Sequence, residues 1–411
     1  MAIKGPLTGA RILSFGSAHA GNYCAKILGD LGAEILKIEA PGRGDIVRDL
    51  GPFAGDPELA IGSYIVAMCR NMKSVALDLY TESGRRAFHD LVKASDVVFD
   101  NYRAGVMERV GADYDTLKRI SPRIISCSIC GYGSSGPYSH RPSFDDIAEG
   151  LSGMSSLCGE RGGGRPIRSP VAIADISAGM QAAIGIISAL YQREHTGKGT
   201  RIEVNLLDVC LSVMDTHYAI YYLTGKVPGP QGSKHPTTPL LGAFKCKDGY
   251  VVLGPSWPRI CRVINREDLI DDPRFNSPAK RFENKELLED ALERELEKYD
   301  REAILALFEA EDIAGGPLNN MEQALADPQV IHNRATITLE HPAYGKIQNI
   351  ANAIKVQGIE GTPISPPLVG EHTEEVLKGI LNYSDEQVKK LNEEAEKHSE
   401  ELIKLHARRM V

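Results

Sequence analysis

The first forty residues alternate between strand, helix and strand patterns, and this alternation limits the folds open to the chain. Residues 10–15 form an apolar run typical of a buried strand, residues 20–32 have a helical pattern that ends at a glycine, and residues 33–39 return to a strand pattern. Parallel strands joined through a helix belong to α/β proteins whose sheet is covered on both faces. The sequence therefore predicts an α/β fold with a Rossmann-like large domain.

The glycines of this opening unit weaken a dinucleotide-binding interpretation. Glu39 ends the second predicted strand, where a dinucleotide-binding fold carries the acid that binds ribose. Gly16 and Gly21 are five residues apart with no glycine between them, so the G-x-G-x-x-G turn that holds a pyrophosphate is missing. We therefore do not expect a nicotinamide cofactor.

The length of 411 residues indicates more than one domain. We predict a large domain at 1–200 that is completed by about 331–411, and a small α/β domain at 236–325. A helix followed by a loop rich in glycine and proline predicts a linker at 201–235.

The composition is that of an ordinary soluble globular protein, with 42% apolar and 25% charged residues. The 47 basic and 55 acidic residues give a net charge of −8, which argues against bulk attraction to nucleic acid or to an anionic membrane. We find no run with the length of a membrane span and no signal-peptide pattern at the start. We therefore expect a cytoplasmic protein with no nucleic-acid or membrane partner.

A second strong pattern follows Asp175. Apolar residues recur at helical spacing: Ile176, Met180, Ile184, Ile187 and Tyr191. Small residues fill other positions, so that a neighbouring element can approach the helix closely: Ala178, Gly179, Ala182, Ala183 and Gly185. Asp175 at the start of this helix is either an N-cap or a carboxylate held in a dry pocket as a covalent nucleophile. The spacing does not decide between these two roles.

Cys127 and Cys130 form a C-x-x-C motif, the one metal-like spacing among the eight cysteines. A zinc site would need a second closely spaced pair, which the sequence lacks. The pair lies in a strand pattern whose alternate residues face opposite sides of a sheet. We interpret both cysteines as small buried residues and expect no metal site.

The segment around Asp175 resembles the class III CoA-transferases, which include formyl-CoA, succinyl-CoA and carnitine-CoA transferases. The resemblance covers nearly the whole chain, from Pro6–Gly9 to Gly370–Thr373. In that family the acid of the D-x-x-x-G segment is the nucleophile, and Asp175 matches it. The resemblance also implies a homodimer in which two chains thread through each other as linked rings.

Further motifs match segments that hold coenzyme A (CoA) in this family. They are an E-x-P-x-x-G-D-x-x-R block starting at Glu39, an N-x-K-S-x-x-L-D-L strand starting at Asn71, and the loop after a third strand. The CoA-contacting residues that the resemblance implies are Ala40, Lys73, Leu77, Asn101, Tyr102 and Arg109. The CoA phosphates require cationic side chains, yet any single surface Lys or Arg can equally be a solvated charge. The resemblance implies CoA and acyl-CoA as substrates, with no permanently bound cofactor.

Phe144 and Asp145 bear on a related activity. The α-methylacyl-CoA racemases resemble the transferases throughout but carry His-Asp at these two positions. A racemase needs a base on each face of the α-carbon, and Phe144 accepts no proton. Asp145 remains as a second carboxylate near Asp175, or as a helix N-cap. His19, in the first turn between strand and helix, falls where family members carry a polar residue that reaches the acyl group, although a loop histidine with a structural role fits equally.

The resemblance implies transfer of CoA from an acyl-CoA to a free carboxylic acid. Asp175 would attack the thioester to give a mixed anhydride, and the released CoA thiolate would convert this to an aspartyl-CoA thioester. Two alternatives remain open, an α-methylacyl-CoA racemase and a catalytically silent acyl-CoA-binding dimer. The segments Gly315–Asn320 and Asp327–Val330 resemble members that use succinyl-CoA and dicarboxylates.

Overall fold

The structure, a computed structural model, describes residues 3–54, 61–341 and 344–409. The chain divides into two compact units. The larger unit comprises Met1–Ser152, Ser169–Thr216 and Arg334–Val411, and the smaller one comprises Gly153–Arg168 and His217–Asn333. The predicted small domain, 236–325, lies inside the smaller unit.

The strands that the structure describes are, in chain order, β1 (Arg11–Phe15), β2 (Glu34–Glu39), β3 (Phe53–Ala54), β4 (Ile61–Gly62), β5 (Met72–Ala76), β6 (Val97–Asp100), β7 (Ile125–Cys130), β8 (Arg201–Asn205), β9 (Gly242–Cys246), β10 (Gly249–Leu253), β11 (Gly315–Pro317), β12 (Thr336–His341) and β13 (Gly345–Ile350).

The α-helices of the described chain are α1 (Ala20–Asp30), α2 (Ser63–Met68), α3 (Glu82–Lys93), α4 (Val106–Arg109), α5 (Tyr114–Ile120), α6 (Asp145–Leu151), α7 (Ile173–Thr196), α8 (Leu206–Val213), α9 (Asp215–Thr224), α10 (Arg259–Val263), α11 (Pro278–Glu283), α12 (Lys285–Leu296), α13 (Arg301–Ala310), α14 (Met321–Ala326), α15 (Pro328–His332), α16 (Thr373–Leu381) and α17 (Asp385–Arg409).

A six-stranded parallel sheet organises the larger unit, in the order β5-β2-β1-β6-β7-β8. The chain leaves β1 for β2 and β5 on one side and later returns to place β6 on the other. The strand order therefore reverses between β1 and β6, and in such sheets ligands bind outside the carboxyl ends of the strands at this point. The predicted α/β fold is confirmed.

Helices cover both faces of this sheet, which is why its strands are apolar on both sides. On one face, Leu13 and Leu36 of the sheet share a core with Phe88 of α3. The same core takes in Leu377 of α16 and Leu391 of α17, so the C-terminal helices complete it. The smaller unit has its own core around Phe244, between the antiparallel sheet β11-β10-β9 and its helices.

The other face carries α1 and α7, which approach each other at Gly179. A Cβ atom built on Gly179 would lie 2.7 Å from the backbone oxygen of Ala20 and 3.2 Å from the backbone nitrogen of Cys24. Ala178 and Ala182, on the same face of α7, are fully buried. The predicted close approach through small residues is confirmed.

The apolar stripe of α7 points the other way. Met180, Ile184 and Tyr191 are 40%, 63% and 71% exposed in the single chain. Within the described part of the chain, α7 alone has the length and hydropathy of a membrane span, which the sequence analysis did not anticipate. Core helices of globular proteins meet the same criteria, and the packing of the small-residue face on α1 is that of a core helix.

Candidate active site

The turn from β1 into α1 is closed tightly by two glycines. A Cβ atom on Gly21 would lie 2.5 Å from the Cα of Gly16. Asn101, directly after β6, holds this turn because its Oδ1 accepts the Ser17 N–H and its Nδ2 donates to the Ser17 carbonyl oxygen, both at 2.7 Å. Gly16 and Gly21, which do not form a pyrophosphate-binding motif, thus allow a tight turn at the point where the strand order reverses.

A buried ion pair, Lys37–Asp45, is hydrogen-bonded to the same turn. The Lys37 ammonium, fully buried, donates to the carbonyl oxygen of Gly16 at 2.5 Å, to Asn22 Oδ1 at 2.7 Å and to Asp45 Oδ2 at 2.7 Å. The other Asp45 oxygen accepts the Ser17 hydroxyl at 2.7 Å. Burial opposes ionisation of Asp45, but the Lys37 charge and these hydrogen bonds hold its pKa below the usual value. Gly16, Ser17 and Ala18 of the turn are therefore hydrogen-bonded to one charged network.

His19 is the last residue of this turn, at the N-cap position of α1. Its ring lies edge-on to Tyr64 with 5.4 Å between ring centroids. Burial lowers its pKa, the negative charge of Asp145 opposes that effect, and the positive charge of Lys26 adds to it. Because the net shift is downward, the His19 imidazole is neutral at neutral pH and offers one N–H donor and one acceptor.

Asp175 occupies the third position of α7, whose N-cap residue is Ala172. The alternative that Asp175 itself caps this helix is therefore wrong. Its backbone N–H, one of the donors that a helix start leaves unpaired, donates to Asp145 Oδ1 at 3.0 Å. Asp145 is the first residue of α6 and follows the N-cap Phe144, so it does not cap its own helix. The two carboxyl groups thus meet where the N-termini of α6 and α7 converge.

The surroundings make Asp175 a weak acid. Burial raises its pKa to about 7, and the negative charges of Asp145 and Asp146 act in the same direction. The second oxygen of Asp145 is buried with no hydrogen-bond partner among the described residues. A carboxyl group that is half ionised near neutral pH, in a place of limited water access, is suited to act as a nucleophile toward an activated acyl group.

A cavity of about 410 Å³ opens at the carboxyl ends of β1 and β2, within the usual range for small-molecule sites. Its walls are mostly apolar and aromatic, and three of the predicted CoA-contacting residues line it: Ala40, Leu77 and Tyr102. Phe15 lies on the same wall, with 6.3 Å between its ring centroid and that of Tyr102. Flat apolar walls of this kind suit a purine ring.

Glu39 borders this cavity, but its carboxylate is already occupied. Arg48 donates to both of its oxygens, at 2.9 and 2.8 Å, and the Ser74 hydroxyl donates at 2.5 Å. Although burial favours the protonated form, the Arg48 hydrogen bond and the Lys37 charge hold the pKa of Glu39 below its usual value. Glu39 has the sequence position of a ribose-binding acid, but in this structure its carboxylate holds the loop after β2.

The other predicted CoA-contacting residues lie outside the cavity wall. Lys73 on β5 pairs with Glu34 at 3.2 Å and Glu375 at 2.9 Å. Arg109 is exposed at the end of α4, while Val106 and Met107 of the same helix line the cavity. Asn101 is engaged with the first turn. The structure thus brings Ala40, Leu77 and Tyr102 together in one cavity, and the assignment of all six residues to CoA contacts stays a prediction.

The C-x-x-C pair belongs to the sheet interior. Cys127 is fully buried, as predicted, and Cys130 is half-buried with its thiol near the carbonyl oxygen of Val204. Burial raises the pKa of Cys130 to about 11 and also raises that of Cys127. Both thiols are therefore protonated and unreactive at neutral pH.

Sequence reasoning missed two sets of residues. The first is the Lys37–Asp45 network, for which a lysine inside an apolar strand followed eight residues later by an aspartate was the available signal. The second is Asp78 and His398, whose side chains meet at 2.5 Å beside the cavity. They are 320 residues apart, and no local pattern joins them.

Comparison with known proteins identifies the family. The family model described as CoA-transferase family III matches residues 7–373. The human succinyl-CoA:glutarate CoA-transferase is 36% identical, with 94% of this chain and 88% of that protein covered. The succinate–glutarate CoA-transferase of Agrobacterium fabrum is 30% identical over 91% of this chain and 95% of its own length. A solved structure of a CaiB/BaiF family protein from Brucella suis superposes with a TM-score of 0.80 at 30% identity, covering 91% of this chain and 99% of that one.

The matched region contains β1, the Asp145–Asp175 pair and the cavity residues from Phe15 to Val110. The chain therefore belongs to CoA-transferase family III, as its motifs predicted.

Proposed function

We propose that this CoA-transferase moves CoA from a dicarboxylic acyl-CoA such as succinyl-CoA to a second small dicarboxylate, with Asp175 as the covalent carrier. The observation that supports the proposal is a carboxyl group with a pKa of about 7 in the first turn of α7, held by a second carboxylate, Asp145, whose charge also acts on the neutral His19. The names of the human and Agrobacterium fabrum relatives support dicarboxylic substrates.

The reaction proceeds through three covalent intermediates on Asp175, an anhydride with the donor acid, a thioester with CoA and an anhydride with the acceptor acid. Its ionised oxygen attacks the thioester carbonyl of the donor, the C–S bond breaks, and a mixed anhydride and CoA thiolate result. The thiolate attacks the aspartyl carbonyl, which gives an aspartyl-CoA thioester and releases the donor acid as its carboxylate. The acceptor carboxylate attacks this thioester to form a second anhydride and free thiolate. The thiolate then attacks the acceptor acyl carbon, which yields the new acyl-CoA and restores Asp175.

The neighbouring residues supply what these steps need. The neutral His19 imidazole donates its N–H to the oxygen that becomes negative when the thioester is attacked. Asp145 holds the backbone of Asp175 through the 3.0 Å hydrogen bond, and its charge keeps Asp175 basic. Asp145 is buried and Asp175 is half-buried, which limits the access of water that would otherwise hydrolyse the anhydride.

CoA itself would lie with its adenosine end in the cavity beside Ala40, Leu77 and Tyr102. This cavity is at the carboxyl ends of the parallel strands, where the strand order reverses, and the turn that carries His19 is next to it. Arg109 is exposed at the end of α4, whose Val106 and Met107 line the cavity, and we propose that it contacts a phosphate group of CoA. Extended from the cavity, the pantetheine arm would carry the thioester toward His19.

We further propose that the protein is a homodimer. The exposed stripe of Met180, Ile184 and Tyr191 on α7 is a large apolar surface for a single chain. A second copy of the same chain is the partner that the resemblance implies. The linked-ring arrangement of the two copies and the cytoplasmic location stay predictions.

The experiment that tests the function is a panel of acyl-CoA donors against small mono- and dicarboxylates, with isotope-labelled acid. Labelled acyl-CoA should form without ATP, and fastest with dicarboxylic pairs. Exchange of the α-hydrogen of a 2-methylacyl-CoA in deuterium oxide would instead favour a racemase. CoA binding without any transfer of label would favour the silent binding protein.

A further inference from the structure

Part of the wall of the 410 Å³ cavity comes from the C-terminal helix α17. Ala395, His398 and Ser399 of this helix line the cavity together with Ala40 and Tyr102. This segment lies beyond residue 373, where the family match ends, and none of the motifs that identify the family includes it.

Helix α17 is fixed in this position at several points. Leu391 and Val388 are buried in the core of the larger unit, and Ala395 is 7% exposed. The Glu394 carboxylate accepts the N–H and the hydroxyl of Ser83, at 3.0 and 2.6 Å. Core packing and hydrogen bonds therefore hold α17 in place against the cavity.

His398 is the polar side chain that α17 brings to the cavity. Its Nδ1 lies 2.5 Å from Asp78 Oδ2, and its ring centroid lies 5.9 Å from that of Tyr80. Because a carboxylate only accepts hydrogen bonds, Nδ1 of His398 carries the proton that is donated to Asp78. The other Asp78 oxygen accepts the Tyr80 N–H at 3.0 Å, which fixes the carboxylate in turn.

We infer that α17 forms the outer wall of the CoA nucleotide pocket and that His398, oriented by Asp78, contacts the adenosine end of CoA. The inference rests on the proposed function, because it takes CoA as the occupant of this cavity. Two features favour adenosine over the acyl end. The cavity has flat aromatic walls, and it lacks Asp145 and Asp175, which mark the reacting end. Helix α17 would then distinguish CoA from thioesters of pantetheine, which have no nucleotide.

The test compares three variants of the full chain. His398→Ala removes the polar contact, Ala395→Phe places a ring inside the cavity, and Lys397→Ala is the matched control on an exposed position of the same helix. Calorimetric titration with CoA should give a dissociation constant about fivefold to tenfold higher for His398→Ala, as the loss of one hydrogen bond predicts. Ala395→Phe should raise it further, and Lys397→Ala should leave it unchanged.

Kinetics with two donors separates a nucleotide contact from a general structural effect. For His398→Ala the KM for succinyl-CoA should rise with kcat preserved, while kcat/KM for the succinyl thioester of pantetheine should not change. Wild-type affinity for CoA in both cavity variants would overturn the inference. An equal loss of kcat/KM with both donors in the His398→Ala variant would also overturn it. If Ala395→Phe fails to fold, as judged by its thermal transition, His398→Ala decides alone.

The outcomes also separate this inference from the proposed function. A wild-type protein that binds CoA but transfers none would contradict the function, and the variants would still report on the pocket. A wild-type protein that does not bind CoA would overturn both.

Discussion

Asp175 is the residue on which the proposed chemistry depends, and its replacement by asparagine gives the first prediction. Asp175→Asn keeps the size of the side chain but removes the attacking oxygen, so transfer should fall by roughly three orders of magnitude or more while CoA still binds. Incubation with succinyl-CoA alone, followed by hydroxylamine or borohydride and peptide mapping, should modify Asp175 in the wild type. An unmodified peptide together with an active Asp175→Asn variant would rule out the mechanism.

The same substitution should change the free energy of unfolding, and the raised pKa of Asp175 determines the direction of the change. The folded chain holds the Asp175 proton up to a pH of about 7, above the usual value for this side chain. Its contribution to stability is therefore present at low pH and is lost as the pH rises through 7. Above pH 7 Asp175→Asn should be more stable than the wild type, by on the order of 2 kcal/mol. Denaturant unfolding at pH 5 and pH 8 should show the difference growing with pH.

The pH dependence of the first chemical step gives a second prediction. Only ionised Asp175 attacks, so the single-turnover rate of CoA release from succinyl-CoA should rise with pH and level off above about 7. Asp145→Asn still presents an oxygen to the Asp175 N–H but removes one of the charges that raise the pKa of Asp175. Its midpoint should therefore lie at lower pH. An unchanged midpoint in rapid-quench measurements would show that Asp145 does not act on Asp175 through its charge.

Arg109 provides a third prediction, concerning binding without chemistry. A phosphate contact holds the ground state and the transition state alike, so Arg109→Ala should raise the KM for succinyl-CoA and leave kcat nearly unchanged. Arg86, an exposed arginine on α3, offers a matched control as Arg86→Ala. A large loss of kcat with a normal KM would contradict the role proposed for Arg109.

Among the helices, α1 and α7 pack closely near their starts, where His19 and Asp175 lie. Gly179 leaves no room for a side chain, since its Cβ would lie 2.7 Å from the Ala20 backbone. Gly179→Ala should therefore lower the free energy of unfolding by about 1–3 kcal/mol and reduce kcat. Gly185→Ala on the same helix is the control, because its Cβ would meet only the Ile202 side chain, at 3.1 Å. Equal stability of the two variants in thermal unfolding would refute the argument.

The opposite face of α7 leads to a prediction about assembly. A lysine at position 184 would place a charge in the proposed dimer surface, which is costly to bury without a partner. Ile184→Lys should therefore elute as a monomer in size-exclusion chromatography with light scattering. Gln192→Lys, exposed on another face of the helix, should remain dimeric. A wild-type monomer, or a dimeric Ile184→Lys variant, would contradict the proposed interface.

At the scale of the whole molecule, the parts that the sequence predicted are those with strong local periodicity. The opening strand, helix and strand were predicted within two residues of β1, α1 and β2 because their apolar spacing is regular. The linker helix was predicted as continuous, whereas the structure interrupts it at Met214 between α8 and α9. Periodicity located α7 but did not show that its small-residue face is the buried one, since both faces are poor in charge.

The parts that escaped prediction depend on contacts between distant residues. Asp145 and Asp175 meet only because two helices start at the same place. Asp78 contacts His398 only because the C-terminal helix α17 packs on the core of the larger unit. Such pairs have no local signature, since each partner alone has the pattern of an ordinary polar residue on its own element. Family motifs located Asp175, yet the distribution of charge around it required the fold.

The C-terminal helices have a consequence for protein synthesis. Leu377 and Leu391 share a core with Leu13 and Leu36, so a nascent chain shorter than about 390 residues leaves uncovered the part of this sheet face that α3 and α5 do not cover. Chains grow at roughly 5–20 residues per second, so this apolar area stays uncovered for roughly ten seconds or more during synthesis. We expect a chain truncated before Leu391 to expose this area and to be degraded faster than the full chain.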